Sequence, residues 1–282
     1  MSALIKTSFF PLRGSGAAAP QAQPSSQTVI GREFDDAVDP ATEVAPAWAR
    51  ETIGRTPRER TPARDDSPFD GLALGVVRKL DDLRDRRAAG ARAALSLAGQ
   101  VLLVTSARSG EGKSFVASKL ARRLAMVIGE PVALIDANAS RPALQTCYRM
   151  TPNGRGLFDC LARGRLLDDR LQPSGVHDLV VMPAAAGGRQ SLLTRVPACR
   201  DVLAGLRERY ALTVIDGAML GRTGCLPQIV DSTLLVVDAS RTRRDSVMGA
   251  LASFPIDREQ LMGVVLNRRP EYVPRWLYRR VL

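Results

Sequence analysis

The segment Gln100–Leu120, QVLLVTSARSGEGKSFVASKL, holds the residues whose types and order point most directly to chemistry. An apolar run, Val101–Val104, gives way to a loop of small residues. That loop closes on Gly112-Lys113-Ser114, and an amphipathic helix pattern follows at once. This strand–loop–helix order is the context in which Gly-Lys-Ser binds phosphate. Gly110 and Gly112 let the backbone curl, so that the N–H groups of Ser109-Gly110-Glu111-Gly112 can turn toward phosphate oxygens. A helix starting near Lys113 adds the positive end of its dipole. Lys113 would reach the β- and γ-phosphates, and the Ser114 hydroxyl would bind Mg²⁺. One position departs from G-x-x-x-x-G-K-[ST]: Ala107 stands where the first glycine is usual.

Acidic residues supply the second half of such a site. Three apolar runs end in aspartate: Ile135-Asp136, Ile215-Asp216 and Val237-Asp238. In a parallel sheet these carboxylates emerge at the same edge as the phosphate loop. Mg²⁺ takes hard oxygen ligands, commonly one or two carboxylates together with nucleotide phosphates and water. Asp216 after LTVI fits a Walker B acid. Asp136 opens a second acidic element, DANASRP. Asp238 reads better as a turn or cap residue. The metal candidates are thus Ser114, Asp136 and Asp216.

The elements that must position these residues follow from the apolar pattern. Strand runs are expected at Val101–Thr105, Val132–Ile135, Leu179–Met182, Leu212–Ile215, Thr233–Val237 and Met262–Leu266, with helices between most of them, such as Ser114–Val127 and Ala198–Arg209. The runs are continuous rather than alternating, as in strands covered on both faces. They predict an α/β fold: a doubly wound, mostly parallel sheet with nucleotide at the carboxyl ends of its strands. Ahead of it, Leu72–Leu97 reads as a charged helix.

Composition divides the chain. Residues 1–68 hold eight of the 18 prolines and few large aliphatics, which predicts a disordered N-terminal tail. That stretch has net charge −1, so the formal +11 of the chain resides in residues 69–282, at +12. Such charge would suit nucleic acid or an anionic membrane surface. However, 36 of the 40 basic residues are Arg, a uniform bias that coding composition accounts for as well as a binding surface does, which leaves nucleic acid the minority reading. No run reaches the roughly 18 apolar residues of a spanning helix, and no signal peptide is expected. The four cysteines lack C-x-x-C or metal spacing and read as buried free thiols, and His177 is the single histidine. The expected organisation is a tail (1–68), a charged helix (69–99), a phosphate-loop domain (100–269) and an aromatic, basic terminus (270–282). In that terminus Trp276, Tyr272, Tyr278 and neighbouring arginines suit a headgroup-level interface, a docking site or packing on the chain's own core.

The segments LLVTSARSGEGKSFVASKLA, VALIDANASRPALQ, GLFDCLARG, YALTVIDG and GVVLNRR, in that order and spacing, resemble the bacterial tyrosine kinases of exopolysaccharide and capsule synthesis. These are cytoplasmic ATPases of the P-loop NTPase type that serve polysaccharide co-polymerases. The resemblance covers about residues 78–269 and implies a fold, an ATP-dependent tyrosine kinase activity and ATP with Mg²⁺ as cofactors. It implies that Lys113, Asp136 and Arg141 carry catalysis, with Asp136 a metal contact and a base toward a tyrosine hydroxyl. It places Asn267 on adenine, and Tyr272 and Tyr278 as phosphoacceptors. It matches Asp81-x-x-Arg84-x-x-Arg87 to a helix that meets a neighbouring subunit, hence a homo-oligomer. It further implies a membrane-embedded co-polymerase partner and a place at the inner face of the cell membrane. Three departures accompany it. Asn138 replaces the second acid of the Asp136 element, Walker B continues as Gly217-Ala218-Met219, and the tyrosine tail is sparse. Each favours attenuated activity. The alternatives are an ATP-dependent regulatory switch that phosphorylates nothing, or a partition-type ATPase acting on DNA. The second lacks the extra early Lys of that group, since Ala107-Arg108-Ser109 occupies its place.

Overall fold

The computed structural model describes residues 8–11, 67–87, 99–150, 155–185, 195–254, 256–257 and 259–269. Eight strands form one sheet: β1 (Ser8–Pro11), β2 (Gln100–Ser106), β3 (Val132–Asp136), β4 (Gln172–Pro173), β5 (Leu179–Met182), β6 (Leu212–Met219), β7 (Ser232–Asp238) and β8 (Leu261–Asn267), in the order β1-β8-β7-β2-β6-β3-β5-β4. The six inner strands run parallel. The edge strands β1 and β4 pair antiparallel. All six expected strand runs are the six parallel strands.

Alternation along each strand explains why its sequence is apolar throughout. Leu102 and Val104 of β2 face one core, with Leu134 of β3 and Val214 of β6. Val101, Leu103, Ile135 and Ile215 face the other. The first core is closed by α1 (Ser67–Arg87) and α2 (Lys113–Ile128), through Val76, Leu80, Val116, Leu120 and Leu124. The second is closed by α4 (Leu157–Arg163) and α5 (Val196–Arg209), through Leu161, Val202 and Leu206. The short helices α3 (Leu144–Cys147) and α6 (Leu226–Ile229) complete these layers, and α7 (Arg244–Ser253) covers β7 and β8 through Val247 and Leu251. The four cysteines are free.

The structure amends three expectations at the N-terminal side. Within residues 1–68, Ser8–Pro11 is not a loose segment but an edge strand, pairing Phe9 with Val265 of β8. An edge strand satisfies backbone groups on one side only and tolerates a terminal Pro. The helix begins at Ser67, five residues before the expected Leu72, and is described to Arg87. It is also more than a charged helix. Phe69, Leu72, Ala73, Val76, Leu80 and Leu83 recur at helical spacing and are all buried. Phe69 meets Phe115 of α2 edge-on at 6.0 Å, and Arg123 of α2 pairs with Asp70. The apolar stripe of α1 therefore packs on the chain's own core. The side chains of Arg84 and Arg87 lie outside the described residues, as do Tyr272, Tyr278 and the rest of 270–282. Among the described residues no helix is long and apolar enough to cross a membrane.

Candidate functional site

β2 ends at Ser106, and the chain turns through 107–112 into α2. Gly110 and Gly112 adopt φ of 85° and 86°, a region that side chains with Cβ rarely enter. Gly112 is required a second time by contact: a Cβ there would lie 2.2 Å from Asn267 Nδ2. Gly112 is also the N-cap of α2, so Lys113 and Ser114 open the helix, where its free N–H groups point outward. Lys113 is buried. The 16-residue helix is pinned by Val116, Ala117, Leu120 and Leu124, which fixes the loop that precedes it.

Glu111 holds that loop from inside. Its Oε2 accepts the Arg108 N–H (2.7 Å), and its Oε1 accepts the Asp238 N–H (3.1 Å) and the Thr242 hydroxyl (2.6 Å). Asn267 adds a second strap. Its Nδ2 donates to the Glu111 carbonyl (2.8 Å), and its Oδ1 accepts the Arg268 N–H (3.0 Å). The Arg268 guanidinium donates to the Gly110 carbonyl and to Asp238 Oδ2, both at 2.9 Å. Asp238 in turn accepts the Ser240 N–H and hydroxyl, the turn role expected of it, and these partners with Arg268 hold its pKa low despite burial. The carboxyl ends of β7 and β8 thus grip the phosphate loop. Nothing local in the sequence signals this, because Glu111 and Thr242 are 131 residues apart.

On the other side of β2, Asp136 and Asp216 are register partners on adjacent strands. Both are fully buried. Their surroundings differ. Asp136 Oδ1 accepts the Asn138 N–H (3.0 Å), and Oδ2 accepts those of Ala143 (2.9 Å) and Leu144 (3.1 Å), so this carboxylate shapes the 136–144 turn and the start of α3. Burial raises its pKa, and these amides and Lys113 offset part of the rise. Asp216 has no such support: both oxygens are buried without a hydrogen-bond partner of normal geometry. Burial and then the charge of Asp136 push its pKa up to about 7, while the Ser114 hydroxyl and Lys113 pull it down. A buried carboxylate left unpaired is costly. Beside Ser114, the free oxygens of Asp216 fit a divalent cation held by hard oxygen ligands. When bound, such a cation would neutralise phosphate charge.

Two clefts flank the phosphate loop. One is lined by Arg108, Ser109, Gly110, Asp238, Arg241 and Thr242, toward the ends of β7 and β8. The other, about 410 Å³ with its open mouth, lies toward β3 and β6. Lys113, Asn138 and Arg141 line it, together with Ser109, Ser140 and Arg222. The structure thus gathers Ser109, Gly110, Gly112, Lys113, Ser114, Asp136, Arg141 and Asp216 around one loop. Asn267 stands on its far side with both polar atoms engaged.

No protein-family model matches the chain. Among curated proteins it is 26% identical over 233 residues to the succinoglycan biosynthesis transport protein ExoP of Rhizobium meliloti, across 77% of this chain and 29% of that one. It is 25% identical over 178 residues to the tyrosine-protein kinase CpsD of Streptococcus agalactiae serotype Ia, across 62% and 76%. Of solved structures, the VpsO kinase domain superposes with a TM-score of 0.57 at 26% identity, covering 73% of this chain and 99% of that one. The BceF tyrosine kinase domain gives 0.54 at 25%, covering 73% and 78%. In sequence and in fold the chain is thus similar to bacterial tyrosine kinases. The chain spans less than a third of ExoP and about three quarters of CpsD. The two departures noted in the sequence, Asn138 in place of a second acid and Gly217-Ala218-Met219 after Asp216, both lie at this site.

Proposed function

We propose that this chain is an ATP-dependent protein-tyrosine kinase that regulates exopolysaccharide synthesis or export. The observation that carries the reading is Asp216. It is a buried carboxylate with no hydrogen-bond partner of normal geometry, in register with Asp136 and beside the helix that opens with Lys113 and Ser114. ATP binds with its phosphates on the 109–114 loop and its charge met by Lys113. Ser114, Asp136 and Asp216 would hold Mg²⁺, which would neutralise phosphate charge. Arg141 meets the phosphoryl group from across the cleft. A tyrosine oxygen attacks the terminal phosphorus, its proton passes to Asp136, and ADP departs. Transfer of this kind rests on positioning and charge neutralisation. Asn267 keeps the loop in shape and borders the side on which the base would lie.

Neither tyrosine among the described residues is placed to accept a phosphoryl group. Of the four tyrosines, Tyr148 and Tyr210 are 7% and 4% exposed. The Tyr148 hydroxyl is bonded to Ser118 at 2.9 Å. Tyr272 and Tyr278, or tyrosines of a second copy, are the acceptors. The partner is a membrane-embedded co-polymerase, which would place the chain at the inner face of the membrane.

Incubation of the purified protein with ATP and Mg²⁺, followed by phosphopeptide mass spectrometry, should find phosphotyrosine, and Lys113→Ala should abolish both it and nucleotide binding by calorimetry. Unchanged affinity in Lys113→Ala would sink the phosphate-loop assignment. Asn138, neutral and lining the phosphate cleft, favours a second reading, an ATP-dependent switch. Tight nucleotide binding without any phosphotyrosine would select it.

A further inference from the structure

We propose that Arg222 is a phosphate-binding residue of this site, forming with Arg141 a two-arginine clamp that takes the terminal phosphoryl group of a nucleoside triphosphate. The inference rests on the reading of the loop as an ATP site. No sequence motif draws attention to Arg222; its position in the fold does.

The cleft on the β3–β6 side brings Arg222 together with Lys113 and Arg141, beside the hydroxyls of Ser109 and Ser140. No carboxylate is among the described residues that line it. The cleft on the opposite side of the loop contains Glu111 and Asp238. Lys113 has the charges of Asp136 and Asp216 behind it, but the two arginines face the cleft with no anion of their own and call for one from outside. Among the described residues neither Arg141 nor Arg222 is in an ion pair. Asn138 sharpens the imbalance. An acid at that position would put a negative charge on the wall of this cleft, and the amide puts none.

The turn that carries Arg222 is held in place. Leu220 and Thr223 on either side of it are buried. The Thr223 hydroxyl donates to the Leu220 carbonyl at 2.9 Å. The turn packs down on Gly217, where a Cβ would lie 3.3 Å from the Thr223 methyl and 2.7 Å from Leu103 Cδ1. Gly217 follows Asp216 directly, so the departure from the usual Walker B continuation is what seats this turn. Met219 ends β6 in register with Ser106 of β2, at the start of the phosphate loop. Arg222 is exposed and extends from a fixed base. A guanidinium offers paired N–H donors that match two phosphate oxygens, which an ammonium cannot reproduce.

The clamp would serve a phosphate that only the triphosphate has. Calorimetry on the full chain with Mg·ADP and with a non-hydrolysable imido analogue of ATP tests this. Arg222→Ala should weaken the analogue about tenfold or more while leaving ADP unchanged, and Arg222→Lys should recover only part of the loss. Unchanged ADP binding reports that the variant is folded. Equal weakening of both ligands, or no weakening of either, would overturn the clamp alone. A parent protein that binds neither nucleotide would overturn the ATP-site reading, and the clamp with it.

Discussion

At the scale of single residues, Asp216 is a cost to the folded chain. An aspartate in the unfolded chain titrates near 3.9, while burial and Asp136 raise Asp216 to about 7. Between about pH 4 and pH 7 the folded state therefore keeps a proton that the unfolded state has released. Stability contributed at this position falls as pH rises through that window and is constant above it. Asp216→Asn should accordingly stabilise the nucleotide-free protein by roughly 1–3 kcal/mol at pH 8 and by little at pH 4. Urea denaturation at the two pH values measures this, and destabilisation at pH 8 would mean that the carboxylate has a compensating partner. The same variant should lose Mg²⁺-dependent nucleotide binding. A substitution that helps folding and removes ligand binding marks a residue kept for function. Asn138 is the converse case. Asn138→Asp would return a carboxylate to the phosphate cleft near Arg141 and Arg222. If the amide attenuates the site by withholding a metal-directed charge, turnover, followed as the rate of phosphotyrosine formation, should rise. A fall would show that the neutral amide is part of how this cleft works.

At the scale of elements, the phosphate loop is only as precise as the layers that hold it. Leu80 is fully buried on α1 against the same core that fixes α2. Leu80→Ala should cost about 2–5 kcal/mol, read as a lower midpoint in thermal or urea unfolding. Gly156 precedes α4, and a Cβ there would lie 2.0 Å from the Pro183 carbonyl oxygen just beyond β5. Gly156→Ala must displace that backbone, and an unfolding midpoint unchanged from the parent would contradict the packing. The parallel strands were legible in the sequence because burial on both faces leaves continuous Val, Ile and Leu runs. The loop was legible because Gly112-Lys113-Ser114 carries its conformational demand in its own residue types. The stripe of α1 was hidden by Arg78, Lys79, Asp81 and Asp82, charged residues set among its apolar ones. β1 was hidden because an edge strand of four residues inside a Pro- and Ala-rich stretch has no run to show. The straps from Glu111 to Thr242 and from Arg268 to Gly110 span 131 and 158 residues, and only the fold brings them together.

At the scale of the whole molecule, charge is the property most open to a wrong reading. A formal +11 suggests an affinity for nucleic acid. The structure shows where part of that charge goes. Arg123 pairs with Asp70, Arg170 with Asp159 and Asp169, Arg207 with Asp231, Arg209 with Asp168, and Arg268 with Asp238. These pairs join elements on several sides of the sheet: α2 to α1, α5 to the β6–β7 connection, and β8 to the turn after β7. Arg141 and Arg222 face the phosphate cleft. Arginines bound into the fold in this way do not form one stripe along which a duplex could lie. Binding through several duplex phosphates would make affinity fall steeply with salt, with a slope of about −0.9 per phosphate neutralised. Duplex DNA should therefore bind weakly, with a shallow dependence on salt and no retained complex at physiological ionic strength in a gel-shift titration. Micromolar binding under those conditions, with a slope reporting several phosphates, would revive a DNA-associated ATPase and place the remaining arginines on a face of their own.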